Sequence, residues 1–465
     1  MEFRTEKDSM GEIKVPEHAY YGAQTQRAIE NFPISGIKFS RSFIQALGYV
    51  KQAAAKANKE LSLLPDNIVQ YISMAAREVI EGKLDEHFPV DIFQTGSGTS
   101  TNMNANEVIA ARANELAKAN GDKELKIHPN DHINFGQSSN DVIPTALRVS
   151  AVLGITFNLI PALKHLQQEF SKKGLEYKNV ARTGRTHLMD AMPLTIKQQF
   201  GGYERQLLLG IERVESALEH LRELPQGGTA VGTGINTHPE FGKVFAKILS
   251  DLTSENFTEA TDHFEAQATV DAPVEMSGQL KTLAVSFMKI ANDLRWMNSG
   301  PNSGLSDVKL AALQPGSSIM PGKVNPVAEE SAAMVCARVI GNDAGITIAG
   351  QAGNFELNVM LPLVAFNLNE NIQILANTAR NLADRSVSQL TVNVENIQDK
   401  LGKNPILVTA LNPVIGYDLA AKIAKTAYAE GRSLKAVALE MSNLSEDELD
   451  AALDPLKMTK GGFTE

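Results

Sequence analysis

MSGQLKTLAVSFMKIANDLRWM, residues 276–297, carries an apolar side chain at Met276, Leu280, Leu283, Phe287, Ile290, Leu294 and Met297. The steps alternate four and three, the seven-residue period of a helix packed lengthwise against neighbours. Leu368, Ile372, Leu375, Ala379 and Leu382 repeat that period, and Phe200, Tyr203, Leu207, Ile211, Val214, Leu218 and Leu221 come close to it. The pattern predicts a further helix from about Pro144 to Tyr177, with Pro161 as a kink. Strand patterns are few and short. Long helices joined by short breaks predict a mainly α fold built on a central long-helix bundle. Such long apolar stripes suggest packing against other subunits, with core packing inside one chain as the alternative.

The chain has 465 residues, room for about three domains at roughly 150 residues each. Its formal net charge is -10, which argues against nucleic acid or an anionic membrane as partner, since both require a basic face. A small anionic substrate stays possible, because local cations decide that. The single cysteine, Cys336, can form neither an internal disulfide nor an iron–sulfur cluster, and its flanks read as a buried helix. The N-terminal segment is charged and lacks the apolar core of a signal peptide, and no uninterrupted run of about 18 apolar residues predicts a membrane span. A cytoplasmic location is the expectation.

After about Val394 the helices shorten. Ser445 and Glu448 make a capping-box pattern before LDAAL. The two short helices expected at 433–441 and 445–453 imitate a helix-turn-helix. However, Glu446, Asp447, Glu448 and Asp450 on the second would repel phosphate.

Five irregular segments interrupt the helical pattern: 94–107, 128–141, 184–194, 227–236 and GSSIMPGKVN at 316–325. In the last, Gly316, Pro321 and Gly322 preclude a regular element, so two hydroxyls, one ammonium and a buried-looking methionine share one tight loop. The glycine-rich 227–236 segment has Thr233 where a phosphate-binding loop needs lysine. HPNDH at 128–132 spaces two histidines like a zinc motif, but Asp131 stands where glutamate is needed and Pro129 makes the segment turn-like. No metal is therefore expected. Together the loops offer hydroxyl, amide and imidazole groups with Lys323 as a fixed cation. That inventory suits a small dicarboxylate.

These segments, in order, resemble the class II fumarases of the fumarase/aspartase superfamily along essentially the whole chain. GSSIMPGKVNP is similar to the superfamily's shared loop. GAQTQRAIENF, QTGSGTSTNMNANE, HPND, QSSND, GRTHLMDAMPLT, GGTAVGTGINTHPEF and GNFELNV resemble the fumarase forms of the others. The resemblance implies an N-terminal lyase domain at 1–138, a central helical bundle at 139–395 and a small C-terminal helical domain at 396–465. It implies a homotetramer with active sites shared between subunits, and reversible hydration of fumarate to (S)-malate with no cofactor.

By the same resemblance Ser317 is the base and His187, backed by Glu330, the acid–base partner. Ser97, Gly98, Thr99, Ser138, Ser139, Asn140, Thr186, Ser318, Lys323, Val324 and Asn325 bind substrate. His128, Asn130 and Asp131 match a second carboxylate site. Some positions depart from the family pattern: Asn302 and Ser303 stand for an Arg-Cys pair, Phe135 and Gly136 for a basic residue and serine, and Met189 for glutamine. The nearest alternative is an aspartate ammonia-lyase on the same fold, whose members tend to carry glutamine where His187 stands. A non-catalytic helical scaffold would be expected to lack Ser317, Lys323, Asn325, His187 and Glu330, and all are present.

Overall fold

The structure is a computed structural model and describes residues 2–462. The chain divides into two compact units. One contains residues 1–161, 211–284 and 336–376; the other contains 162–210, 285–335 and 377–465. Among the described residues the β structure consists of four two-stranded sheets, and the rest of the regular structure is helical.

The long helices are Ile196–Leu221, Asp271–Met297, Val327–Gly350 and Leu361–Asn381. Every apolar position of the expected seven-residue stripes is buried, from Met276 through Met297, from Phe200 through Leu221 and from Leu368 through Leu382. The mainly α bundle reading holds for the physical reason given: a stripe with this period can leave water only by lying along other helices.

In the first unit, helix Arg41–Glu60 packs against Asp66–Ile80, Ser139–Gly154 and Phe241–Thr253. Alanines 53–55 and 57 are buried where it meets them, so small side chains set a close approach. In the second unit the C-terminal helices form their own core from Leu401, Leu407, Leu411, Ile423, Leu434, Val437 and Leu449, joined by Ala181. The capping box at Ser445 and Glu448 is formed.

Four local expectations are corrected. The helix expected from Pro144 to Tyr177 is Ser139–Gly154 and Ile160–Glu176 joined by a π-helical turn at Ile155–Leu159. Pro161 has no N–H and its ring crowds the carbonyl four residues back, so the ladder widens there instead of breaking. The segment TSTNMNANE is not loop but the start of helix Thr99–Ala119. Its amides misled the reading because Asn102, Asn104 and Asn106 are buried polar groups rather than turn formers.

Residues 181–195 are a hairpin, Ala181–Thr186 against Met189–Thr195, with His187 and Leu188 as its two-residue turn. Lastly, Met320 is exposed, not buried. Two helical stretches, 139–176 and 327–350, are long and apolar enough on average to cross a membrane, although neither is an uninterrupted apolar run. The apolar window of the first is 67% buried inside the fold.

Phe287→Ala should cost roughly 3–5 kcal/mol, the usual cost of emptying an aromatic site, because its side chain is fully buried in the seam. Lys422→Ala, at an exposed position of helix Tyr417–Glu430, should change stability by only about 0.5 kcal/mol or less. Urea unfolding of both variants checks this.

Candidate functional site

The loop 316–325 closes on itself. Gly316 N donates to Lys323 O at 3.0 Å, Asn325 Nδ2 donates to Gly316 O at 2.8 Å, and Lys323 Nζ donates to Asn325 Oδ1 at 2.9 Å. A Cβ on Gly316 would stand 2.4 Å from Lys323 O, so only glycine lets the two strands of the loop touch. Inside this closure Ser317 Oγ accepts two backbone N–H groups, from Ile319 at 3.3 Å and Met320 at 3.0 Å. Two donors aimed at one hydroxyl oxygen stabilise negative charge on it. Ile319 is 83% exposed and Met320 50%, so the loop presents apolar side chains to solvent.

Lys323, Val324, Asn325 and Glu330 line one cavity of about 530 Å³, together with Arg295 and Trp296. Glu330 begins helix Val327–Gly350, where a carboxylate is favoured by the helix dipole. Its neighbour Glu329 is buried against the Ser386 hydroxyl, and burial raises its pKa above the ordinary carboxylate value. Thr186 and His187 sit at the exposed hairpin tip of the same unit. His187 and Leu188 both have left-handed backbone, φ 55° and 62°. The two-residue turn needs that conformation, and the hairpin holds it although leucine disfavours it. His187 and Glu330 are not hydrogen-bonded to each other within the chain.

The other predicted binding residues, apart from Ser318 on the 316–325 loop of the second unit, gather in the first unit. Gly98 adopts a left-handed conformation just before helix Thr99–Ala119, and a Cβ there would meet Ile143 at 2.8 Å. Ser97 Oγ, Thr99 Oγ1 and Ser139 Oγ form a hydroxyl chain with spacings of 2.8 and 2.7 Å. Thr99, Ser138 and Ser139 line a cavity of about 380 Å³ with Asn102, Asn134, Gln137 and Thr229. Ser138 caps helix Ser139–Gly154, and Asn140 Nδ2 donates to Ala230 O at 2.8 Å.

Sequence reasoning missed the group that holds this cluster together. The fully buried Asp141 carboxylate accepts from Ser138 N at 2.9 Å, Gly227 N at 3.2 Å and Thr229 N at 2.9 Å. It thereby ties the glycine-rich segment to the serine loop. Burial pushes its pKa up to about 6. The signal was present as the N3 acid of a capping box, but nothing local said that its second oxygen reaches 86 residues onward.

His128 and Asn130 line a third cavity, of about 490 Å³, with Arg4, Lys7 and Glu107. Asp131 is exposed nearby. His128 Nδ1 accepts from Asn130 N and Asp131 N, so the 3.3 Å approach of Asp131 Oδ2 to that nitrogen is not a hydrogen bond while it accepts. His132 Nδ1 accepts from His128 N. The HPNDH nitrogens thus cap backbone, and no cluster of three or more His, Cys, Asp or Glu suited to a metal occurs among the described residues.

Gly316→Ala is expected to open the 316–325 loop without unfolding the chain, because the clash is confined to the pinch. Tryptic cleavage after the exposed Lys323 should accelerate by about tenfold or more, consistent with a local opening of low free energy, while the melting temperature stays within a few degrees. Equal cleavage rates would show that the pinch does not hold the loop.

The Lyase profile matches residues 11–341, and the Fumarase C C-terminus profile matches residues 407–460. The chain is 55% identical over 461 residues to "Fumarate hydratase class II" of Xylella fastidiosa strain Temecula1, covering 99% of this chain and 96% of that one. It is 54% identical over 460 residues to "Fumarate hydratase class II 2" of Pseudomonas aeruginosa, covering 99% of each. The crystal structure of class II fumarase from Schistosoma mansoni superposes with a TM-score of 0.94 at 39% identity, over 98% of this chain and 99% of that one. A chain matched from end to end by such relatives, with both profiles in order, belongs to the class II fumarase family of lyases.

Proposed function

We propose that this chain is a fumarate hydratase, interconverting fumarate and (S)-malate. The observation that carries the reading is the Ser317 hydroxyl, held by two backbone N–H groups in the same closed loop as Lys323 and Asn325. In the dehydration direction a base must take the weakly acidic proton beside a carboxylate of malate. The resulting aci-carboxylate carries two negative charges, and fixed donors and a cation lower its energy. Ser317 Oγ takes that proton, since the Ile319 and Met320 N–H groups stabilise its alkoxide form. Lys323 and Asn325 bind the carboxylate on which charge accumulates. Ser318 and Val324 complete that end, and Ser97, Gly98, Thr99, Ser138, Ser139, Asn140 and Thr186 hold the rest of the substrate.

His187 manages the proton at the oxygen that leaves, through a water, and Glu330 behind it fixes its tautomer. His128, Asn130 and Asp131 form a second carboxylate site. The ammonia-lyase alternative is disfavoured by His187 itself.

The same reading carries a homotetramer. Helix Val327–Gly350 exposes Met334, Ile340 and Ile348, and helix Asp271–Met297 exposes Val285 and Trp296; such apolar surface on long helices is ordinarily covered. The exposed Ile319 and Met320 fit a lid that closes against substrate or a neighbouring copy. The division at 1–138, 139–395 and 396–465 is retained, supported at its C-terminal end by the core that residues of that segment form with Ala181. A cytoplasmic location accords with Cys336 as one buried thiol, its pKa pushed up by burial to about 11.

Fumarate absorbance followed after adding malate tests the activity, with aspartate as the control that tests the ammonia-lyase. Ser317→Ala should lower turnover by roughly 10²–10⁴ while dicarboxylate binding holds, since only the transition state uses the base. Lys323→Ala should harm both binding and turnover. His187→Asn should lower turnover, because the group that moves the proton at the leaving oxygen is gone. A fully active Ser317→Ala enzyme would leave His187 as the base.

Sedimentation at micromolar concentration should give four chains per particle. An active monomer would overturn both the tetramer and the shared site.

A further inference from the structure

Lys51 lies on helix Arg41–Glu60 and is fully buried. Its Nζ donates to Asn134 Oδ1 and Gln137 Oε1, each at 3.1 Å. Its ammonium forms no ion pair among the described residues, and Asp141 is the carboxylate whose charge acts on it. The Asp141 oxygens are committed to the N–H groups of Ser138, Gly227 and Thr229. An ammonium kept in the interior with only amide oxygens for company costs stability. Burial accordingly pushes its pKa down to about 7. Packing gives no reason for it, since an uncharged side chain of that length would fill the space.

What the ammonium does is orient dipoles. It has donors only, so the amide oxygens of Asn134 and Gln137 must face it. Asn134 Oδ1 also accepts from Asn102 Nδ2 and Asn106 Nδ2, each at 3.2 Å. The amide nitrogens bond back into the loop, Asn134 Nδ2 to Gln137 O at 3.1 Å and Gln137 Nε2 to Ile133 O at 2.9 Å. Asn102, Asn134 and Gln137 are also walls of the cavity that holds Thr99, Ser138 and Ser139. The wall therefore turns its carbonyl ends inward to a buried cation. A carboxylate in the cavity would meet no opposing oxygens from these two amides and would have the Lys51 cation behind them, with the Asp141 carboxylate behind Ser138 and Thr229 as the counter-charge.

We infer that Lys51 is a positioning residue for dianion affinity: a buried charge that sets the amide wall behind the Ser97–Thr99–Ser139 cluster. The inference rests on the proposed function, in which that cavity receives a substrate carboxylate. It assigns a cost in stability to a gain in binding, a trade found where a site is tuned for a ligand rather than for the fold.

The test uses the full chain with Lys51→Met, which keeps length and removes charge. Steady-state fumarate hydration, succinate binding by calorimetry and thermal melting are measured on both proteins. KM and the succinate Kd should rise by roughly tenfold or more, the scale of one charge–charge interaction at intermediate dielectric. Turnover should stay within about threefold, and the melting temperature should fall by no more than a few degrees, because losing the desolvated charge offsets the amide oxygens left without a donor. Unchanged KM and Kd with a lowered melting temperature would make Lys51 structural and overturn the inference. Lys51→Gln, neutral but still a donor, serves if the methionine variant does not fold. Wild-type affinity in Lys51→Gln would overturn the role of charge, and weakened affinity with intact turnover would support it. If the unaltered chain neither hydrates fumarate nor binds succinate, the proposed function falls and this inference with it.

Discussion

The burial of one seven-residue stripe along helix Asp271–Met297 is the constraint on which the rest depends. Seven apolar side chains spaced over six helical turns leave water only if other helices lie alongside for the same length. Ile196–Leu221 and Leu361–Asn381 carry matching buried stripes. A frame of that kind is stiff, since close-packed interior side chains leave little room to move. Stiffness matters because the chemistry-bearing segments are loops and turns, which have little rigidity of their own.

Each of those segments is fixed by a different local device. The 316–325 loop is pinched at Gly316 by its own backbone and by Asn325. The 187–188 turn is held left-handed by the register of a hairpin. The serine loop at 137–140 is held from two sides by buried ions that do not touch, the Lys51 ammonium and the Asp141 carboxylate. Buried charge is an expensive way to hold a loop, but it also creates a field, and packed hydrocarbon cannot.

The polar content of the first unit follows the same logic. Asn102, Asn104 and Asn106 occupy interior positions of a helix where leucine would stabilise more. Asn104 Nδ2 reaches His87 O at 2.8 Å, while Asn102 and Asn106 turn to Asn134. Glu107, next along the helix, gathers the N–H groups of Gly22, Gln24 and Thr25. One helix thus anchors the N-terminal segment with one residue and a cavity wall with two others. That combination explains why its composition imitates a loop.

The sequence by itself determined the helical seams, the closing of the 316–325 loop around a hydroxyl and an ammonium, the C-terminal capping box, and the family. Each of these is written in a short-range pattern: a period, glycines and a proline that preclude a regular element, a cap three residues from its partner. Only the tertiary structure decided that 99–107 is helix, that 181–195 is a hairpin, and that Pro161 produces a π turn. It alone revealed Lys51 and Asp141. A lysine in KQAAAKANKEL reads as a solvated helix position, because sequence spacing carries no record of what a helix packs against. Its burial is fixed by Asn134 and Gln137, 83 and 86 residues away, and such a pairing exists only once the chain has folded.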